Sequence, residues 1–371
     1  MFDYSAQINA FRDEKVRLPK GFKEKLIKHR DANRNRLISR LPNRIPGLTI
    51  SQSSFKPQGS SAVRTIIQTK FVYEEYDIDD GLVLLKDELV DFDGNKLTAA
   101  EVKEHVLQAL RDQRFVKQPS MAANAVRVYY KEEDEERHHI DFPVYRQFES
   151  ENGEMIKEIA GEFGWTKSDP TQVNHWFNNE VSSRNEESAG KGTQMRRMIQ
   201  LLKRFCRSRY TWDMPNGMKL TMLVVECQPA YHERLDLAFR KLLESLKDRL
   251  ESNKVIENLA HPDKPALTRT SLDKNVEDLL VKIGESLEKL EVLDSSDHQD
   301  NKSAREAWDW VFQSDGFFLD YDRKADDQAK EARLGGLAKL INSGVARTSA
   351  LGVIGSVGTA NAAHSFYGDS H

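Results

Sequence analysis

Cysteine is almost absent from this sequence. Its 371 residues include only two, Cys206 and Cys227. Two thiols cannot form a disulfide framework, and their spacing does not fit a metal-binding knuckle. We therefore expect both to be reduced residues on helices of a cytosolic protein.

Long apolar runs and a strong excess of one charge are also absent. No stretch approaches the roughly 20 apolar residues that a membrane-spanning helix needs, and the first residues, MFDYSAQINAFRDEK, lack the pattern of a secretory signal. The net charge is −4, from 55 basic and 59 acidic residues, so no global field recruits nucleic acid or a membrane. These absences predict a cytoplasmic protein without a membrane partner, and they disfavour a nucleic-acid partner.

The front half of the chain mixes helix and strand signals. A strongly charged amphipathic segment runs over residues 21–41 and is closed by Pro42 and Pro46. Thr98 opens a second helical pattern, and Glu101, three residues later, completes a capping box. These signals predict helices on either side of an apolar segment.

Two β-rich runs follow before the pattern becomes helical. AVRVYYK at residues 125–131 and HHIDFPVY at residues 138–145 predict strands joined by the acidic connection EEDEE. His138 and His139 are interpreted as strand residues and not as metal ligands, because few other histidines or cysteines accompany them. From Asp169 onward the apolar spacing is that of successive helices.

The apolar segment between the two front helices contains three carboxylates in four residues. In the stretch YDIDDGLVLL, strand alternation puts Asp77 and Asp79 on one face and Ile78 and Asp80 on the other. Carboxylates about 7 Å apart along a strand repel each other unless a cation lies between them. Asp141 begins another β-like run, so the acids converge if the two strands are neighbours. Oxygen ligands of this kind favour a hard cation such as Mg²⁺.

Upstream of the carboxylates, the stretch GSSAVRTII predicts a loop that enters a helix. Gly59 allows a close backbone approach, and a helix amino terminus at Ser60 would present unpaired amide groups to an anion. A phosphate cradle beside a carboxylate-bound metal is the apparatus of phosphoryl or nucleotidyl transfer.

The order of these motifs resembles the polymerase-β-like nucleotidyltransferase superfamily. Within it, the chain is similar to the bacterial cGAS/DncV-like nucleotidyltransferases (CD-NTases), the cyclic-oligonucleotide synthases of CBASS anti-phage defence. The matching pieces lie between residues 58 and 230 and are QGS at Gln58, DIDDG at Asp77, HIDFPVY at His139, SDPTQVNHWF at Ser168 and LLKRF around Lys203. Each motif is common alone, but their shared order is characteristic of the family.

This resemblance implies an α/β (α+β) fold with a polymerase-β-like core sheet and a second, all-helical lobe. Residues 1–180 would form the nucleotidyltransferase core with its long amino-terminal helix. Residues 181–371 would form the helical lobe, which ends in a tail of small residues from Ser343. The active site would lie in the cleft between the lobes.

The resemblance also implies roles for individual residues. The catalytic and metal-binding residues would be Asp77, Asp79 and Asp141, holding two Mg²⁺ ions or Mn²⁺ in their place, and the nucleotide-binding residues would be Gln58, Gly59, Ser60, Lys203 and Asn216. Asp141 would help to activate the attacking ribose hydroxyl, and Lys203 would reach the donor triphosphate. Arg209, farther along the same basic segment, is expected to be exposed and unimportant.

The implied reaction joins ATP and GTP into a cyclic dinucleotide, with cyclic GMP-AMP as the expected product and pyrophosphate as the leaving group. CBASS regulatory or effector proteins are the implied macromolecular partners. Three alternatives remain open: an RNA-directed terminal nucleotidyltransferase resembling a poly(A) polymerase, a non-catalytic nucleotide-binding module, and a structural partner in a signalling complex. The near-neutral charge argues against the first, and the intact acidic triad argues against the second.

Overall fold

The computed structural model describes residues 2–71, 74–130, 137–268, 273–295, 297 and 300–321, together with positions 335, 339, 347–348, 354–355 and 359–360. The chain divides into two compact units, Met1–Gln313 and Ser314–His371. The division into lobes at residue 180, within the first unit, stays a prediction.

In the sequence of the first unit, helices come before, between and after the strands. They are α1 Ser5–Phe11, α2 Lys20–Arg40, α3 Gly59–Ala62, α4 Ala99–Leu110, α5 Gln172–Glu187, α6 Lys191–Cys206, α7 Gly217–Cys227, α8 Leu235–Ser252, α9 Lys274–Leu290 and α10 Asn301–Phe312. A π-helical turn, Arg12–Val16, extends α1. The predicted helices of the back half are confirmed as α5 to α9, whereas α1 and α10 are not foreseen from the sequence.

The strands of the first unit form one mixed sheet. They are β1 Phe55–Gln58, β2 Tyr76–Leu85, β3 Ser120–Met121, β4 Ala125–Tyr130, β5 His138–Glu149, β6 Met155–Gly161 and β7 Gly164–Lys167. The order is β1-β2-β5-β4-β3, with β6 on the second half of β5 and β7 on β6. Only β2 and β5 are parallel among these pairs. The predicted α/β class is confirmed, and β2 and β5 are direct neighbours.

The predicted strand pair is confirmed as β4 and β5, which run antiparallel from Ala125 opposite Pro143 to Tyr130 opposite His138. Its acidic connection, residues 132–136, lies outside the described residues. The predicted capping box is also present. Thr98 N donates to Glu101 Oε2 at 2.8 Å, and Glu101 N donates to Thr98 Oγ1 at 3.3 Å.

Helices α2 and α4 bury their apolar sides in one core with the sheet. This core contains side chains from α2, α4 and the central strands, among them Leu37, Val106, Leu82, Ile140 and Phe142. Burying these apolar side chains is favourable and holds α2 and α4 against the sheet. The core therefore positions the strands that carry the carboxylates.

The first residues of the chain pack against helices of the back half. Tyr4 N donates to Asp236 Oδ2 at 3.0 Å, and the rings of Phe11 and Phe312 lie 4.8 Å apart. Cys206 and Cys227 are free thiols at the ends of α6 and α7, as expected. No helix among the described residues is both long and apolar enough to cross a bilayer.

The second unit contains a small antiparallel sheet in the small-residue tail. Strand β8, Arg347–Thr348, lies between β9, Ile354–Gly355, and β10, Thr359–Ala360. The sequence gives no prediction for this sheet, because its strands have two residues each and show no periodicity.

One of the three carboxylates of β2 is neutralised on the core side of the sheet. Asp80 is fully buried, and both its oxygens accept hydrogen bonds of 2.6 Å from Arg34 of α2. The predicted alternation therefore holds, since Asp80 faces α2 while Asp77 and Asp79 face the opposite side. The charged segment of α2 thus has a structural role that its composition alone does not reveal.

Replacing Arg34 with Ala should destabilise the protein by about 3–5 kcal/mol, because the Asp80 carboxylate would be left buried without a partner. Urea unfolding of the full chain measures this loss. As a control, Lys20→Ala removes the exposed Lys20–Glu24 contact of 3.9 Å and should cost at most about 1 kcal/mol. Equal losses for the two variants would contradict a structural role of the buried pair.

Candidate active site

The carboxylates meet because the strand register places them in one row. Asp79 of β2 lies opposite Asp141 of β5, Gln58 of β1 lies opposite Asp79, and Arg127 of β4 lies opposite Asp141. Side chains directly opposite each other on neighbouring strands are close enough to interact. The row therefore runs from Gln58 through both aspartates to Arg127 across four strands.

Arg127 makes a paired contact with Asp141. Its Nε and one terminal nitrogen each donate to a different carboxylate oxygen at 2.7 Å. Such a bidentate pair is strong and fixes the plane of the carboxylate. Sequence analysis does not find Arg127, because its importance follows from the register and from no local motif.

A second row contains Asp77 and His139, which lie opposite each other two residues earlier. The Nε2 atom of His139 is 3.1 Å from an oxygen of Asp77, and its Nδ1 atom is 3.1 Å from an oxygen of Glu75. Burial lowers the pKa of His139, but the contacts with Asp77 and the charge of Asp141 outweigh it, so the net pKa is raised. The interpretation of His139 as a mere strand residue therefore misses its place in the site.

The arrangement suits a divalent metal ion. Asp77, His139 and Asp141 each offer a ligand atom within 4.8 Å of the others. Asp79 lies beside them, and burial, followed by the charges of Asp77 and Asp141, raises its pKa to about 7. Carboxylate oxygens that repel one another in this way are the ligands that Mg²⁺ and Mn²⁺ favour.

The loop before β2 packs directly against Asp79. Gly59 has a φ of +65°, and a Cβ atom there would lie 2.2 Å from Asp79 Oδ2. Only glycine meets both conditions, since other residues rarely adopt this φ and have no room for a side chain. The helix predicted from GSSAVRTII is present as α3, which has a single turn, and Arg64, with a φ of 61°, lies just beyond it.

A cleft of about 510 Å³ opens beside these carboxylates. Its lining includes seven of the predicted residues, namely Gln58, Gly59, Ser60, Asp77, Asp79, Lys203 and Asn216. The motif from Ser168 contributes Asp169 and Trp176 to the same wall. This volume lies in the range of small-molecule sites in proteins.

Lys203 and Asn216 already have partners within the protein. The ammonium of Lys203 donates to the carbonyl and the hydroxyl of Thr65, both at 3.1 Å, and burial lowers its pKa to about 8. Asn216 caps α7 by accepting hydrogen bonds from the amides of Met218 and Lys219. Both line the cleft, but their contacts with a nucleotide stay predictions.

The expectation that Arg209 is exposed is wrong. Its guanidinium lies 4.3 Å from the ring centre of Trp212 and 4.6 Å from that of Trp310. Cation–π contacts of this kind stabilise the packing of the connection after α6 against Trp310 of α10.

The residues that form this geometry also match a known protein family. Residues 53–145 match the family described as cyclic GMP-AMP synthase DncV-like, nucleotidyltransferase domain. These residues are similar to a DncV-like nucleotidyltransferase domain. The match spans the turn at Gly59 and all three aspartates, so the predicted resemblance to the cGAS/DncV-like nucleotidyltransferases is confirmed.

Solved structures share the fold well beyond this domain. The Vibrio cholerae DncV cyclic AMP-GMP synthase with nonhydrolyzable GTP has a TM-score of 0.65 and 17% identity, over 84% of this chain and 96% of that one. The same synthase with the linear intermediate pppA(3′,5′)pG has a TM-score of 0.64 and 17% identity over the same shares. A variant of it in complex with ATP, GTP and 5MTHFGLU2 gives 0.65 and 16%, again over 84% and 96%.

Replacing Gly59 with Ala should displace the Asp79 carboxylate and weaken binding of Mn²⁺ in the presence of ATP by at least about tenfold, as for lost support of a metal ligand. Electron paramagnetic resonance of free Mn²⁺ measures this affinity. Gly47→Ala is the matched control, because Gly47 has a φ of +75° but no atom within 4 Å of an added Cβ. A variant at Gly59 that binds Mn²⁺ as the control does would show that the contact is unimportant.

The raised pKa of Asp79 predicts how metal-free stability depends on pH. Between its unfolded value near 4 and its folded value of about 7, the folded state binds more protons than the unfolded state. Stability in EDTA should therefore fall as the pH rises through this window. Thermal unfolding at several pH values tests this, and Asp79→Asn should flatten the dependence. A wild-type stability that rises over the same window would contradict the electrostatic account.

Proposed function

We propose that this protein is a metal-dependent nucleotidyltransferase that makes a cyclic dinucleotide from ATP and GTP, with cyclic GMP-AMP as the product. The observation that carries the proposal is the carboxylate cluster at the cleft beside the turn at Gly59. Asp79 and Asp141 lie opposite each other on parallel neighbours, with Asp77 on the same face. Nucleotidyl transfer needs acidic metal ligands next to a backbone turn that can bind the donor phosphates.

Asp77 and Asp79 would hold the metal ions, and Asp141 would share one of them. Two Mg²⁺ ions, or Mn²⁺, would supply charge to the phosphates and lower the pKa of the attacking hydroxyl. The carboxylate donors fit these ions, since their oxygens are the ligands that Mg²⁺ and Mn²⁺ favour, and burial followed by the charges of Asp77 and Asp141 raises the pKa of Asp79. Arg127 fixes the orientation of Asp141 by donating to both of its carboxylate oxygens, and this carboxylate would accept a proton from a ribose hydroxyl.

The other cleft residues would bind and orient the nucleotides. Gly59 and Ser60 would contact the β- and γ-phosphates of the donor, with Gln58 beside them. Lys203 lines the same cleft as this loop, with its ammonium 3.1 Å from Thr65 Oγ1. Its positive charge would complement the triphosphate. The walls of the cleft would exclude water from the reacting phosphate.

The cyclic product and its biological setting rest on the resemblance to DncV. The structures of that synthase contain GTP, ATP with GTP, or a linear dinucleotide intermediate. One metal site can form both phosphodiester bonds if the linear intermediate reverses its orientation within the cleft after the first bond has formed. We assign the protein to anti-phage signalling of the CBASS type, with regulatory or effector proteins as its partners.

Incubation of the purified chain with ATP and GTP, alone and together, in the presence of Mg²⁺ should release pyrophosphate and yield cyclic GMP-AMP by mass spectrometry. Replacing Asp77 and Asp79 together with Ala should reduce the rate by at least about 100-fold. The metal ions that would stabilise negative charge on the phosphates lose two of their ligands in this variant. Asp141→Asn should act similarly. The exposed Asp93 lies in a turn outside the cleft, so Asp93→Ala is the matched control.

The outcomes separate the alternatives. A long homopolymer or an extended RNA primer would identify a terminal nucleotidyltransferase. Nucleotide binding without release of pyrophosphate would identify a non-catalytic module. Unchanged synthesis in the Asp77 and Asp79 double variant would overturn the assignment of the metal site.

A further inference from the structure

Three consecutive backbone carbonyls accept hydrogen bonds from side chains of one helix. They closely follow residues 58–60, which we call the candidate triphosphate loop. Arg196 donates to the carbonyl of Val63 at 3.2 Å, Gln200 to that of Arg64 at 3.1 Å, and Lys203 to that of Thr65 at 3.1 Å. The donors are four and three residues apart on α6, so they share one face of the helix. The segment 63–65 is therefore fastened along α6.

The fastened segment has an unusual backbone conformation. Arg64 has a φ of 61°, in the left-handed region that residues other than glycine rarely adopt. Such a conformation persists where surrounding contacts hold it. Gln200 supplies such a contact at the carbonyl of Arg64 itself, and its own Oε1 atom accepts a hydrogen bond of 3.0 Å from Arg12.

The same turn closes back onto the candidate triphosphate loop. The amides of Thr65 and Ile66 donate to the carbonyl of Ser60 at 2.8 and 3.1 Å. Ser60 follows Gly59, whose backbone lies against the carboxylate of Asp79. A displacement of residues 63–66 would therefore move the groups that face both the phosphates and the metal ligands.

We propose that Gln200, assisted by Arg196, is a positioning residue on helix α6 that holds the candidate triphosphate loop in its binding conformation. This inference rests on the proposed function, since the loop has a triphosphate to bind only if the protein is a nucleotidyltransferase. Neither residue belongs to the motifs that the sequence singles out. They act through the backbone of residues 63–66, so they require no contact with the nucleotide.

The substitution Gln200→Glu tests this role with little change of shape. It keeps an oxygen for Arg12 but replaces the amide donor by an oxygen that repels the carbonyl of Arg64. The dissociation constant for ATP should rise by about fivefold or more, as expected for the loss of one buried hydrogen bond. That for AMP should not change, because AMP has no β- or γ-phosphate. The KM for ATP should rise more than kcat falls.

Gln194→Glu is the matched control. Gln194 is also a buried glutamine of α6 that donates to a backbone carbonyl, that of His232, outside the candidate site. Both variants should lose similar amounts of stability in thermal unfolding. Only Gln200→Glu should weaken ATP binding, so the comparison separates positioning from general destabilisation.

Hydrogen exchange of the nucleotide-free protein gives a readout that does not depend on the proposed function. Gln200→Glu should speed exchange of the Thr65 and Ile66 amides, whereas Gln194→Glu should not. If Gln200→Glu does not fold, Arg196→Ala should show the same changes in smaller measure. Equal ATP affinity and equal exchange in the Gln200 and Gln194 variants would overturn the inference. Wild-type protein that neither binds nor converts ATP would instead refute the proposed function.

Discussion

Parallel pairing of β2 with β5 is the constraint on which the site depends. It places Asp79 opposite Asp141 and so creates a like-charge repulsion that the rest of the structure must offset. Arg127 offsets Asp141, while Asp79 is an acid of this row for which the described residues show no ion pair. The repulsion between these acids makes the cluster a candidate cation site, because a bound metal ion would offset it.

Strand alternation separates structural charge from functional charge within four residues. Asp80 faces the core and is satisfied by Arg34, whereas Asp77 and Asp79 face the cleft. A buried, fully bonded carboxylate anchors β2 to α2 and fixes the register of the strand. A one-residue slip would exchange these faces and leave two acids in the core. The buried pair therefore protects the geometry of the cleft without taking part in it.

The sequence predicts what local chemistry determines and misses what arises from distant contacts. The capping box at Thr98, the helices α5 to α9 and the alternation of the carboxylates all follow from neighbouring residues, and the structure contains them. Strands β6 and β7 are missed because their residues are mostly half-exposed and mix polar with apolar types. The helix expected after Gly59 stops after one turn, where side chains of α6 hold the following carbonyls. Arg127 and His139 could not be foreseen, since only the register brings them to the acids.

The fold does not by itself determine which nucleotide bases the cleft would accept. Asn216 lines the cleft and uses its side-chain oxygen to cap α7, so under the proposed function its amide nitrogen would be the group that it offers to a base. That nitrogen is a donor, and both guanine and adenine present N7 as an acceptor. Discrimination between the two purines therefore requires a second group, one that accepts from an exocyclic amine or donates to the guanine O6. Under the proposed function, base selectivity would therefore depend on several residues of the cleft wall, whereas the carboxylate cluster depends on the register of two strands.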